Sequence, residues 1–223
     1  MTAPAINGPA AAALRLARGF SCLFWSLPPM AAAHAAALGS LLPPRETAVL
    51  MAASCAPLAV GLWMLRAAGE PQPGWKTQVG RVGLAALAAA GLGPFLAWWP
   101  HAPAQPYFAA NAGAHYVALV ALLAGANRLA GEAARWLEDL PLRREALAGL
   151  GMVLWLSVCT VGALAWLFHR AGLLEAGAPT VLARLAELPA EARALFLLPY
   201  AMTAYVAWRI KETAFRRAAG SGA

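Results

Sequence analysis

Six long apolar stretches, separated by short polar segments, dominate the chain. They cover approximately residues 20–42, 47–65, 82–99, 108–126, 147–168 and 194–208, and none has Asp, Glu, Lys or Arg in its interior. A helix needs about 20 apolar residues to cross a hydrocarbon core of about 30 Å, with fewer or more when it tilts. The pattern therefore predicts an all-α, polytopic bundle of about six transmembrane helices.

Composition excludes the soluble classes of protein. Of the 223 residues, 61% are hydrophobic and 12% are charged, whereas a soluble domain carries roughly 25% charged residues. Three cysteines within apolar stretches indicate free thiols that pack as small hydrophobic groups, and they do not suggest a secreted disulfide scaffold. Six spans leave little chain for a soluble unit, so we expect residues 1–223 to form a single integral membrane domain.

The basic residues predict the orientation of the helices. Thirteen of the 17 Lys and Arg residues precede the first apolar stretch or follow the second, fourth and sixth. Short loops rich in Lys and Arg are retained on the cytoplasmic side. Both termini are therefore expected in the cytoplasm of a multi-pass protein of a bacterial-type inner membrane. Trp residues near the ends of the stretches, Trp75 among them, are expected to anchor at the membrane interfaces.

The N-terminal segment allows a second interpretation. Arg15 and Arg18 precede a short apolar run, two prolines and several small residues, a pattern that resembles a cleaved secretory signal. Cleavage would leave five spans. Because the apolar character continues to Leu42, we expect a retained first helix that is kinked at Pro28 and Pro29.

Local patterns add three finer expectations. Small residues in the third stretch suggest close helix packing along either of two strips, one with Gly83 and Gly91 and the other with Ala85, Ala89 and Gly93. We expect this helix to be surrounded by its neighbours. Asp139 is placed to cap the helix of the fifth stretch. Residues 180–188 have the spacing of an amphipathic helix that lies in the interface plane.

The net charge of +7 does not indicate nucleic acid, although basic surfaces attract phosphates. The basic residues are spread over four segments beside membrane spans, so we expect membrane lipid as their partner. Motifs of zinc proteases, serine hydrolases and P-loop enzymes are absent from the sequence. We therefore expect no catalytic residues and no enzymatic activity.

The histidines are the most specific feature. His34 and His115 lie at similar depth in the first and fourth stretches, about 10–12 Å from their outer ends at about 1.5 Å per residue. The sequence predicts a ligand-binding site at His34, Asn111, His115 and Tyr116, since polar groups inside a membrane are functional candidates. The alternative is that each histidine only makes one hydrogen bond between helices. No metal site is expected, unless His34 and His115 together hold a metal ion or a b-type haem.

Three functions remain open at this point. The absence of catalytic groups and the small-residue faces favour a non-enzymatic accessory, assembly or interaction subunit with protein partner subunits. The first alternative is a small-molecule binding or permease component of a transporter. In length and topology alone, the chain is similar to the substrate-binding subunits of vitamin uptake systems. The second alternative is a redox membrane subunit that binds haem b.

Overall fold

A computed structural model describes residues 8–39, 41–69, 71–102, 105–170 and 195–220, except the side chains at 163, 164, 166–168 and 170. The described residues contain helices and no strand, so the predicted all-α bundle is confirmed. The predicted interfacial helix at 180–188 lies outside the described residues. The helices are α1 (Pro9–Leu38), α2 (Pro44–Ala67), α3 (Trp75–Trp98), α4 (Pro106–Trp136), α5 (Leu140–Arg170) and α6 (Leu198–Gly220), with a 3₁₀ turn Trp99–His101 after α3.

Four helices in the described ranges are long and apolar enough to cross a membrane. They are α2, α3 with its 3₁₀ turn, α4, and the part of α5 from Leu140 to Gly162. Helix α1 contains Pro28, Pro29 and His34, and α6 becomes charged from Arg209 onward. The structure therefore describes a bundle of six helices, four of which have the length and composition of membrane spans.

The helices form a ring with α5 added to one side. Helix α1 packs against α2 and α6, α3 lies between α2 and α4, and α4 contacts α6. Helix α5 packs against α4 and α6 and leaves much of its surface exposed. Nearly half of the residues of α1 are buried, which makes α1 the most enclosed of the described apolar helices.

The closest helix approach is between α1 and α2. A Cβ atom added to Gly61 would lie 2.8 Å from the carbonyl oxygen of Gly19 and 2.9 Å from Cβ of Cys22. The backbones can approach this closely only because both positions are glycine. This pair of glycines fixes the contact between the first two helices.

Helix α3 packs through the second of its two predicted small-residue strips, in which Ala89 and Gly93 are buried, and not through the first. Gly83 and Gly91 have no neighbour within 4 Å of an added Cβ, and Leu84 and Leu87 are about 70% exposed. The buried face instead includes Val82, among other apolar and small residues. The expectation that this helix is surrounded by its neighbours is therefore wrong.

One end of the bundle brings the basic segments together. The guanidinium of Arg15 on α1 donates a 2.8 Å hydrogen bond to the carbonyl of Ala67 at the end of α2. Trp75 at the start of α3 is fully buried, and its indole N–H donates to the carbonyl of Leu65. Trp75 is thus a core residue, and its predicted role as an interface anchor is wrong. The predicted cap is confirmed, because Asp139 Oδ1 accepts a hydrogen bond from the backbone N–H of Leu142.

Candidate functional site

A buried pair of histidines joins α1 to α4. His34 and His115 are 8% and 3% exposed, and their Nε2 atoms are 2.6 Å apart. Both were predicted as site residues from their matching depth, and the structure brings them into direct contact. Two ring nitrogens at this distance share one proton in a hydrogen bond.

A third side chain, Tyr200 on α6, completes the cluster. Its hydroxyl oxygen lies 3.1 Å from Nδ1 of His34, and the side chain is buried. The sequence interpretation missed this residue, because depth was compared only for the histidines. Tyr200 lies about six residues inside the sixth apolar stretch, a depth close to that of the histidines. Depth matching applied to all polar residues would have found it.

Hydrogen-bond chemistry sets the direction of each bond in this cluster. Nδ1 of His34 is 2.7 Å from the carbonyl oxygen of Met30, which only accepts, so this nitrogen carries the proton. Nε2 of the neutral His34 ring is then an acceptor, and His115 donates to it from Nε2. The Tyr200 oxygen accepts a share of the His34 Nδ1 proton, which leaves the tyrosine's own proton directed elsewhere.

The pair ends in a nitrogen without a hydrogen bond. Nδ1 of His115 is buried and has no hydrogen-bond partner among the described residues. The carbonyl of Ala89 on α3 is near the ring, but it does not complete a hydrogen bond of acceptable geometry. With Nε2 protonated, this nitrogen carries a lone pair. The cluster therefore presents one uncommitted acceptor at His115 and one uncommitted donor at Tyr200.

The spacing of the two imidazoles does not fit a metal ion between them. Metal–imidazole bonds are about 2.0–2.1 Å long, so nitrogens on opposite sides of one ion are about 4 Å apart. The observed 2.6 Å separation is that of a direct hydrogen bond. A haem bound by these residues would require α1 and α4 to move apart. No group of three or more His, Cys, Asp or Glu side chains within the described ranges is placed to hold a metal ion.

The other two predicted site residues lie apart from the pair. Asn111 donates a 2.8 Å hydrogen bond to the carbonyl of Tyr107 one turn earlier in its own helix. Tyr116 follows His115 in the chain and faces a cavity between α4, α5 and α6. The predicted set of four residues is thus divided between a polar cluster, a cavity and the surface of one helix.

The cavity is next to the polar cluster and has a volume of about 230 Å³. Most of its lining is apolar, and Tyr200 belongs both to this lining and to the histidine cluster. Ser157 and Thr160 also face the cavity, and their hydroxyls donate to carbonyls of their own helix. The tyrosines at positions 116 and 200 are therefore the side chains best placed to donate a hydrogen bond to a molecule in the cavity.

A second buried polar cluster connects α4, α5 and α6. The side-chain amide of Asn127 donates to Thr203 Oγ1 at 2.8 Å and to the carbonyl of Leu123. Thr203 in turn donates to the carbonyl of Pro199. Gly149 leaves the space that the Asn127 amide occupies. The donors of this cluster are bonded, whereas the buried Oδ1 of Asn127, which faces Gly149, has no hydrogen-bond partner among the described residues. Hydrogen bonds between helices of this kind are typical of a structural link.

Comparisons of the chain with protein-family models, with curated proteins and with solved structures gave no match.

Proposed function

We propose that this chain is a multi-pass inner-membrane protein with six spans and both termini in the cytoplasm. Thirteen of 17 basic residues lie in the segments that this topology places inside. Contacts at one end of the bundle support it, because Arg15 meets the end of α2 and Arg217 meets the end of α4. These basic residues come from segments far apart in the sequence.

Reporter fusions test this topology. A fluorescent protein that matures only in the cytoplasm is fused after Ala223, and alkaline phosphatase, which is active only outside, is inserted after Ala102. The proposal expects fluorescence from the first fusion and phosphatase activity from the second. Phosphatase activity from a fusion after Ala223 would contradict it.

Within this topology, we propose that the chain is a non-enzymatic membrane subunit that binds a small amphiphilic molecule. Its role would be that of a small-molecule binding or permease component of a transporter. The observation that carries the proposal is the apolar cavity next to Tyr200, whose hydroxyl is tied to the buried His34–His115 pair. Buried polar groups in a membrane are costly, and this cluster leaves one donor for use in the cavity. The ligand is expected to have an apolar body and one hydrogen-bond acceptor.

The cavity also limits the size of the ligand. Drug-sized ligands occupy pockets of about 300–1,000 Å³, and this cavity measures about 230 Å³. One water occupies about 30 Å³ in the liquid, so the space suits a molecule of on the order of ten non-hydrogen atoms. A small aromatic ketone meets both requirements.

Fluorine NMR of the protein in nanodiscs tests the proposal. The probe is 4-fluoroacetophenone, and 1-ethyl-4-fluorobenzene is the matched compound without an acceptor. We expect a resonance of the bound probe that is distinct from the resonance of probe dissolved in lipid. This bound resonance should be lost when Leu156→Trp fills the cavity. Val158→Trp on the same helix is the control, because Val158 is 66% exposed and does not line the cavity.

Tyr200→Phe separates the hydrogen bond from simple filling of the cavity. It should weaken binding of the ketone about fivefold, since one net hydrogen bond contributes about 1 kcal/mol, and leave binding of the hydrocarbon unchanged. Absence of a bound resonance for both probes in the unmodified protein would refute a binder of this class. The proposal would then return to an accessory or assembly subunit, in which the histidine cluster only links helices.

A further inference from the structure

The histidine pair has three positions for protons, and two neutral rings fill only two of them. Nδ1 of His34 is 2.7 Å from the carbonyl oxygen of Met30, and the two Nε2 atoms face each other. Nδ1 of His115 has the carbonyl of Ala89 nearby. Each neutral imidazole carries one proton. With two protons in the pair, Nδ1 of His115 therefore stays buried without a hydrogen bond.

A third proton would complete this row of hydrogen bonds. Nδ1 of His115 would then carry an N–H group, and a small rotation of the ring would direct it to the carbonyl of Ala89. That carbonyl can only accept, so it suits the protonated nitrogen and not the bare one. The pair would hold a single positive charge, and every ring nitrogen would have a hydrogen-bond partner.

No charged side chain in the described parts of the bundle balances this proton. The groups in contact with the pair are the Tyr200 hydroxyl of α6 and backbone carbonyls of α1 and α3. The described parts of α2 and α5 contribute no titratable or charged group to these contacts. A lone charge in an apolar core is costly. The third proton therefore requires an anion close by.

The cavity beside Tyr200 is the place where such an anion can lie. Its described lining contains no Lys, Arg, Asp or Glu, and its other titratable groups are the Tyr116 hydroxyl and the Cys159 thiol. The oxygen of Tyr200 is 3.1 Å from Nδ1 of His34, and the same side chain lines the cavity. Its hydroxyl can thus accept from the pair and donate to an anion, in a charge-assisted hydrogen bond.

We infer that the cavity binds an apolar organic anion, such as an aromatic carboxylate, and that the His34–His115 pair takes up one proton with it. This inference rests on the ligand-binding function proposed above and specifies the class of ligand. The proton comes from solvent and forms an N–H bond in the imidazole pair, and no other covalent bond changes. The cavity and the pair together carry no net charge when the anion is bound.

Binding of a permanent anion at different pH values tests this inference. The probe is 4-fluorobenzenesulfonate, which stays ionised throughout, so any pH dependence of its binding comes from the protein. The matched neutral compound is 4-fluorobenzenesulfonamide, which has the same number of non-hydrogen atoms. Each compound is titrated into the full chain in nanodiscs of zwitterionic lipid and is followed by fluorine NMR.

Lower pH should favour binding of the anion. We expect the Kd of the sulfonate to rise about tenfold per pH unit between about pH 6 and about pH 8, because one proton binds with each anion. The Kd of the sulfonamide should not change over this range. Calorimetry in buffers of different ionisation enthalpy should show uptake of one proton per sulfonate bound.

Two variants assign the proton to the pair. His115→Gln keeps a polar side chain but cannot take up a proton, so sulfonate binding should become weak and independent of pH. His101→Gln is the matched control, since His101 is exposed on the 3₁₀ turn, and it should keep the full pH dependence. Binding of the sulfonamide establishes that each variant retains a folded cavity. If His115→Gln does not fold, His34→Gln makes the same test from α1.

Three results would overturn the inference and leave the proposed function intact. They are binding of the sulfonamide without the sulfonate, sulfonate binding that does not change with pH, and an unchanged pH dependence in His115→Gln. Absence of binding by both compounds would also refute the inference. The ketone probe would then show whether the proposed ligand-binding function fails as well.

Discussion

Replacing Gly61 with alanine should separate α1 from α2. The added methyl group would lie 2.8 Å from the carbonyl oxygen of Gly19 and 2.9 Å from Cβ of Cys22. Neither atom belongs to the end of a flexible side chain. The methyl group can therefore be accommodated only if the two helices move apart.

The size of this movement sets the expected cost. An ordinary van der Waals contact requires an opening of about 0.6 Å between the two backbones, and a gap of about 0.5–1 Å forfeits a quarter to a half of each dispersion contact. Overpacking of this kind typically costs about 1–3 kcal/mol. Because alanine favours a helix over glycine by up to about 1 kcal/mol, we expect a net destabilisation of about 1–2 kcal/mol.

Equilibrium unfolding in mild detergent, followed by circular dichroism during titration with a denaturing detergent, measures the change. Gly91→Ala in α3 is the matched control, because an added Cβ at Gly91 meets nothing within 4 Å. This control should be neutral or up to about 1 kcal/mol more stable. If the Gly61→Ala protein is as stable as the control, the close approach of α1 and α2 does not limit stability, and the reasoning fails.

Two further predictions concern the buried polar clusters. Gly149→Ala should drive its methyl group into the Asn127 amide and lower the free energy of unfolding by about 2 kcal/mol. Gly151→Ala is the control, because its added Cβ meets open space, and it should not lower stability. Equal thermal midpoints for the two variants would contradict this prediction. A double-mutant cycle of His34→Ala and His115→Ala should give a coupling energy of about 0.5–1.5 kcal/mol, and strictly additive effects would show that the two rings do not interact.

The number and type of the described helices were predictable, whereas their bounds were not: α1 begins at Pro9 and α6 extends to Gly220, well beyond the predicted apolar stretches. Apolar runs of about 20 residues predicted helices at all six places, and the depth of two histidines predicted a shared site. Both inferences use distance along a helix axis, which the sequence encodes directly through a rise of about 1.5 Å per residue.

Rotation of the helices about their axes was not predictable in the same way. The chain is so rich in alanine and glycine that α3 offers several small-residue faces, and the sequence does not show which of them meets a neighbour. Gly83 and Gly91 proved open, whereas Gly61, which was not singled out, lies against the backbone of Gly19. Trp75 was misassigned for a related reason, because the bundle end that encloses it is built from three separate segments.

The histidine cluster also has a consequence for the order of biogenesis. His34 is synthesised with the first helix, its partner His115 follows 81 residues later, and Tyr200 arrives with the last helix, 166 residues after His34. In the proposed topology, Nε2 of His34 therefore has no hydrogen-bond partner until the fourth helix is in place, whereas Nδ1 is already bonded to the Met30 carbonyl of its own helix. A chain that stops before α6 would also lack Tyr200, so a truncated product would have an incomplete polar cluster in its core.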